Sequence, residues 1–256
     1  MSADTYEALV QAELRERLYD LRLSRNVNFR EGDQTGVTRH VDQALYRQRL
    51  AEPDGDHIVE AISSENRIVP ILLHQSTCQA ETILESKIDS QIIEVVRRPL
   101  DTAASWYFRG WGTRFLSDPR AFTLRFNYEG TSVPWFVVGR EGQWLASSPA
   151  DRCAQSVCHL SDMASEGRRL LADRILVMRF EDWELAPAVQ FDMLSRFLDL
   201  DSRMDPTVAF ERSGFPRRTD SPRKTEGRRQ FLEKVSRHWR QELERRDQIY
   251  LARGES

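Results

Sequence analysis

The stretch Ile92-Ile93-Glu94-Val95-Val96-Arg97-Arg98-Pro99-Leu100-Asp101-Thr102-Ala103-Ala104-Ser105 constrains the fold of this chain more than any other. Its apolar, β-branched start reads as a buried parallel strand. The run stops at Arg97, and Pro99 suits the first turn of a helix, where its missing N–H costs nothing and its fixed φ is already helical. Asp101 falls in that same turn, where the helix dipole favours negative charge. Arg97 at the strand end and Ser105 on the helix can then converge on one point beyond the sheet. A guanidinium and a hydroxyl meeting at a helix start suit a bound phosphate. The plainer alternative is an ordinary strand-turn-helix whose Arg97 makes a surface salt bridge.

Two further apolar runs carry the same signal. Arg67-Ile68-Val69-Pro70-Ile71-Leu72-Leu73-His74 reads as a strand, and Gln79 to Lys87 as a helix with Ala80, Ile83 and Leu84 on one face. With the Arg97 strand they form a β-α-β unit, whose short crossover is right-handed. Asp173 to Trp183 reads as another buried strand, Ile175-Leu176-Val177-Met178, followed by Arg179-Phe180-Glu181-Asp182. Pro187 then opens a helix carrying Phe191, Leu194, Phe197, Leu198 and Leu200. Glu181 or Asp182 at the strand's carboxyl end can position a basic residue or an acceptor hydroxyl, but the preferred reading of both is a helix-start carboxylate that supports the dipole. Asp151 to Leu171 reads as the helix that delivers the chain to this strand. Arg217 to Arg229 is polar, with Pro222 and Gly227, and reads as a loop. A charged helix from Gln230 to about Arg253 follows, with Phe231, Val235, Trp239 and Leu243 on one face.

Arg-x-Pro-x-Asp-x-x-x-Ser after a hydrophobic strand resembles the nucleotide 3′-phosphate motif of the sulfotransferases, enzymes that take a sulfuryl group from 3′-phosphoadenosine 5′-phosphosulfate (PAPS). The late Ile-Leu-Val-x-Arg-Phe-Glu-Asp strand, its following helix, and a basic stretch ahead of Trp239-Arg240 are similar to the same family and occur in the expected order. The resemblance implies a P-loop NTPase-like α/β fold in three α/β/α layers around a central, mainly parallel sheet. It implies Arg97 and Ser105 as 3′-phosphate ligands, with Arg223 and Lys224 as further phosphate contacts. It also implies His74, 23 residues before Arg97 (97 − 74), as a base for the acceptor hydroxyl, a role a neutral imidazole can fill near pH 7. The Lys-Thr usual before that histidine is absent, as is the usual glycine spacing of the basic loop. The reaction implied is in-line transfer of the sulfuryl group to a hydroxyl or amine of a carbohydrate or small metabolite, with no metal.

The chain also departs from that family. A phosphate loop of the kind Arg-Ser-Gly-Thr-Thr, whose amides hold the 5′-phosphosulfate, is not found. Glu31 to Thr38 has two glycines but acidic neighbours and no apolar strand before it. Met1 to Leu50 reads instead as charged helices and a loop, with Leu9, Leu14, Leu18, Leu21 and Leu23 as packing positions. The sequence therefore looks one β-α unit short at its start. Three readings stay open: a fragment whose loop lies upstream, a degenerate relative that binds nucleotide or a partner without transfer, or a different α/β protein.

The remaining features bound the class. The length fits one domain, read as residues 1–60 helical, 61–110 β-α-β, 111–172 an acceptor-side lid and helix, and 173–256 the last strand, basic loop and terminal helices. Trp135, Phe136 and Trp144 in the lid, with Trp106, Tyr107, Trp111 and Phe115 preceding them, suit a sugar or aromatic acceptor, or pack as a small apolar cover. A formal net charge of −3 gives no bulk attraction to nucleic acid. Cys78, Cys153 and Cys158 lack zinc spacing and read as reduced thiols. No run is long enough for a membrane span. With no signal peptide in sight, the expectation is a cytoplasmic protein.

Overall fold

The computed structural model describes residues 3–25, 28–33, 36–37, 43–64, 71–85, 90–118, 123–200 and 221–252. The protein is α/β and mostly helical. It divides into two compact units, Met1–Asp89 and Ser90–Ser256, with the division inside the expected β-α-β segment. Among the described residues no helix is long and apolar enough to cross a membrane.

The first unit contains α1 (Ala3–Arg22), α2 (Gln43–Ala51), α3 (Asp56–Ser64) and α4 (Ala80–Glu85). Of the expected packing leucines, Leu23 is buried, Leu18 half-buried and Leu21 exposed. Ile58 of α3 is fully buried. Arg22 and Glu52 form a half-buried fork, with Nη2 to Oε1 at 3.1 Å. The expected strand over Arg67–His74 lies partly outside the described residues, and its described part is not strand. Ile71, Leu72 and Leu73 are irregular and exposed, Leu72 to 90%. A buried strand needs both ladder partners and cover on its faces, which an exposed run does not have. The helix expected from Gln79 is present, entered through a 3₁₀ turn at Ser76–Gln79 that buries Thr77.

The second unit holds the sheet. β1 (Ile92–Val96) pairs in parallel with β4 (Ile175–Arg179), in register from Ile92 opposite Ile175 to Val96 opposite Arg179. Pro99 starts α5 (Pro99–Phe108) at its first position. α6 (Trp111–Ser117) follows, then the hairpin of β2 (Arg125–Tyr128) and β3 (Thr131–Pro134). Glu129 and Gly130 both have positive φ, 48° and 82°, as a two-residue type I′ turn requires. α7 (Glu141–Ala146) and the long α8 (Pro149–Leu171) lead to β4. Beyond it come α9 (Phe180–Leu185), α10 (Pro187–Phe197), α11 (Pro222–Lys234) and α12 (Arg237–Ala252).

The core forms where α5, α8, α11 and α12 meet. Leu100, Ala103, Ala104, Cys153, Ala154, Val157, Cys158, Phe231, Val235 and Leu243 interlock there. The alanines and cysteines keep α5 and α8 close. Gly112 brings α6 closer still to the start of α8, since a Cβ there would lie 2.1 Å from the Pro149 carbonyl oxygen. Burial pushes the Cys153 and Cys158 thiols up to about 12, so they stay protonated and pack as small apolar groups.

Three expectations are corrected in this unit. The strands are less buried than their composition suggests, with Ile93 39% and Val95 55% exposed on one face of β1. Only two strands pair in this sheet among the described residues, and among them no helix buries this face of β1 as the helices of a full parallel sheet do. The basic stretch is helical rather than a loop wherever it is described. Ser221 caps α11 by accepting the Lys224 N–H, and Pro222 takes the first helical position. Proline and glycine suggested a break, yet Ser-Pro is a helix start. Gly227 lies where α11 crosses α5, an added Cβ standing 3.5 Å from the Phe108 ring. The single terminal helix expected from Gln230 is two helices, parted at Val235 and Ser236. The expected face holds: Phe231, Val235 and Leu243 are buried and Trp239 is half-buried.

Candidate anion site at the carboxyl end of the parallel strands

In open α/β sheets ligands gather beyond the carboxyl ends of the strands. Here that edge carries Arg97 and Arg98 after β1, Arg179 at the end of β4, and the starts of α5 and α9. Two of the motif's charged residues are already paired. Asp101 is buried and takes a fork from Arg228 of α11, Nη2 to Oδ2 at 3.0 Å. The motif aspartate is thus more than a dipole partner, because it ties α11 across α5. Arg98 donates through Nε to both oxygens of Asp247 at 2.9 Å, and through Nη2 at 2.7 Å.

Arg97 is different. Its Nε is buried with no hydrogen-bond partner, and its guanidinium lies over the Phe180 ring, 5.4 Å from the centroid. No carboxylate pairs with it among the described residues, contrary to the surface salt bridge considered above. The Ser105 hydroxyl, one turn beyond Asp101 on the same face of α5, is half-buried and likewise has no partner among the described residues. The two residues proposed for a phosphate are therefore the two in the motif that the fold leaves unused.

The start of α5 has no cap of its own. Arg98 occupies the N-cap position without a side-chain cap, and two distant carboxylates meet the orphan N–H groups that a helix start presents. Glu181 Oε1 accepts the Arg98 N–H at 3.3 Å, and Asp247 Oδ1 faces the Leu100 N–H at 3.4 Å. Tyr250 donates its hydroxyl to Glu181 and lies 3.5 Å from the Val96 carbonyl. Burial, and then the Glu181 carboxylate, push the Tyr250 hydroxyl well above its ordinary range, so it remains a donor. Arg179 stacks on the Tyr250 ring at 4.5 Å.

The other sequence candidates fall in several places. Arg223 and Lys224 stand in the first turn of α11, Arg223 exposed and Lys224 half-buried. α11 packs on α5 through the Arg228–Asp101 fork, so these cations belong to the same unit as Arg97 and Ser105. His74 lies in the first unit, exposed in a bend. Most of the lid aromatics pack on one another. Phe115 touches Trp106, Trp111 and Phe136 with centroids 5.6, 5.1 and 5.3 Å apart. Trp144 is buried and donates to Ser156 at 3.2 Å. A shallow notch remains between Phe136, Trp144, His159 and Trp239. Burial, and then Arg140, lower the pKa of His159 there.

Sequence reading missed Arg98, Asp247 and Tyr250. Asp247 and Tyr250 lie far from their partners, where no local pattern reaches; |i−j| is 149 for Arg98 and Asp247 and 69 for Glu181 and Tyr250. Glu181 was legible as a strand-end carboxylate able to position a basic residue. It accepts that residue's backbone N–H. Searches against family models, curated proteins and solved structures yield no match to this chain.

Proposed function

We propose that the second unit binds a phosphorylated nucleotide at the end of β1, with Arg97 and Ser105 holding its 3′-phosphate and Arg223 and Lys224 adding positive charge. The observation that carries this reading is the Arg97 Nε, buried and unpartnered beside a helix start. A buried donor left without a partner costs free energy, and a phosphate oxygen would satisfy it with a charge-assisted bond. With the motif resemblance, the nucleotide is PAPS, and the activity is transfer of its sulfuryl group to a hydroxyl or amine of a carbohydrate or small metabolite. Arg97 and Ser105 anchor the donor rather than perform chemistry. A base takes the acceptor proton while cations stabilise charge on the leaving phosphate; His74, the residue that the resemblance implies for that role, belongs to the first unit. The three-layer α/β/α arrangement of the sulfotransferases, with a larger mainly parallel sheet, belongs to the same proposal.

A second reading is favoured by the Asp247 carboxylate seated at the start of α5. A relative that has lost transfer would keep nucleotide or partner binding and tolerate such a self-contact. Both readings predict that adenosine 3′,5′-bisphosphate raises the melting temperature of the protein and that Arg97→Ala abolishes the rise. No rise in well-folded parent protein would remove nucleotide binding. Sulfated product formed from PAPS and a panel of sugar and aryl acceptors separates the two readings.

A further inference from the structure

We propose that the last turns of α12 are a closing strap on the anion site: the Asp247 carboxylate occupies the start of α5 as an internal stand-in for phosphate, and it must withdraw before a phosphorylated ligand can seat fully. This inference rests on the nucleotide reading above and adds to it a second half of the site, Arg98, together with a means of regulating access.

The geometry is that of a bound anion. Both Asp247 oxygens sit on the Arg98 fork at 2.7–2.9 Å, and Oδ1 also faces the Leu100 N–H. A fork plus backbone N–H groups at a helix start is how proteins hold phosphate oxygens. Asp247 is 5% exposed, and while it is seated it occupies the Nε and Nη2 donors of Arg98 that a phosphate would take. Tyr250, three residues on and on the same face of α12, fastens the strap through Glu181, which itself accepts the Arg98 N–H.

The strap has a natural anchor and a natural weak end. Arg246 binds Asp162 of α8 at 2.7 Å and Glu242 at 2.6 Å, and Leu243 is fully buried, so α12 is held down as far as Arg246. Beyond it, Ile249 and Leu251 are 42% and 41% exposed. Lifting residues 247–252 therefore forfeits little apolar burial. Low burial at a helix end is where local opening is easiest. Opening exposes Arg98 beside the already unpaired Arg97, which doubles the cationic charge offered to a divalent anion. A ligand that binds only the open form shifts the protein toward it, and closure weakens its apparent affinity by the open fraction.

The test uses the full chain and adenosine 3′,5′-bisphosphate. Asp247→Asn keeps a side chain that can accept from Arg98 but removes the competing charge, and it should bind the nucleotide on the order of tenfold more tightly than the parent. Arg97→Ala in that background should lose the binding. Tighter binding that survives Arg97→Ala would sustain the strap and sink the Arg97 assignment. Unchanged or weaker binding by folded Asp247→Asn would overturn the strap while leaving the nucleotide reading to stand on Arg97. A complete lack of binding by both proteins would overturn both. Hydrogen exchange on the parent protein provides an arm free of mutation. The nucleotide should speed exchange over residues 247–252 and slow it at the start of α5. Slowing at both places would mean that α12 stays seated with ligand bound, and would overturn the proposal.

Discussion

Three helices of the second unit begin in two different ways. α8 and α11 each start with a Ser-Pro pair, and the serine closes the first turn within its own segment. Ser148 accepts the Asp151 N–H at 3.1 Å, and Ser221 accepts the Lys224 N–H at 3.3 Å. α5 has the proline but an arginine before it, and its first N–H groups look to carboxylates on α9 and α12. A helix start that caps itself needs nothing from elsewhere. One that does not leaves its first N–H groups to partners from elsewhere. α6, α7, α9 and α10 also begin without a side-chain cap; what sets α5 apart is that carboxylates from two other helices meet its start.

The largest expected effect comes from breaking the tie between α11 and α5. Asp101→Ala would take the carboxylate from the fork of Arg228, whose side chain is only 13% exposed, and breaking a buried pair by removing one partner costs about 3 kcal/mol. Urea unfolding reads it directly. The Arg98 side chain is 23% exposed and Asp247 7%, so Asp247→Ala should cost less than Asp101→Ala. Equal costs would mean that the start of α5 is as closed as the helix contact beside it.

A smaller loss tests the self-capped helices. Ser148→Ala and Ser221→Ala each remove a local cap and should each cost about 1 kcal/mol. Ser148→Ala should leave nucleotide affinity unchanged, whereas Ser221→Ala loosens the turn that carries Arg223 and Lys224 and should weaken it slightly; equal affinities would remove those two cations from the site.

The smallest effect is one of pH, away from both kinds of helix start. Burial and Arg140 lower the pKa of His159 below its ordinary 6.5, with Asp162 opposing. The unfolded chain then takes up this proton first as pH falls. Stability from the neutral imidazole is complete above about 6.5 and is lost as pH drops from there toward the lowered folded value. His159→Gln should flatten that part of the stability profile between pH 7.5 and 5.5. An unchanged slope would assign it to other groups.

What the sequence revealed follows the range of each interaction. β1, the Pro99 start of α5, α8, β4 and the Phe231–Leu243 face rest on patterns spanning a few residues, and all are present. The α11 helix is hidden in the sequence because Pro222 and Gly227 read as punctuation, although Ser221-Pro222 is itself a start signal and Gly227 serves close packing against Phe108. Exposure of Ile93 and Val95 could not be read from composition, since it depends on what lies over the sheet rather than on the strand. The candidate site was half legible. Arg97 and Ser105 were visible as a motif, whereas the pairings that distinguish them from Arg98 and Asp101 come from Asp247 and Arg228, far along the chain.

The central claim is that Arg97 is the cation the fold leaves for a ligand, while Arg98 is already committed. Calorimetric titration of adenosine 3′,5′-bisphosphate into parent, Arg97→Ala and Arg98→Ala proteins tests it most directly. The account predicts saturable binding by the parent, loss of at least tenfold in affinity for Arg97→Ala as expected for a charge-assisted phosphate contact, and a smaller loss for Arg98→Ala. Binding by Arg97→Ala with the parent's affinity would contradict it.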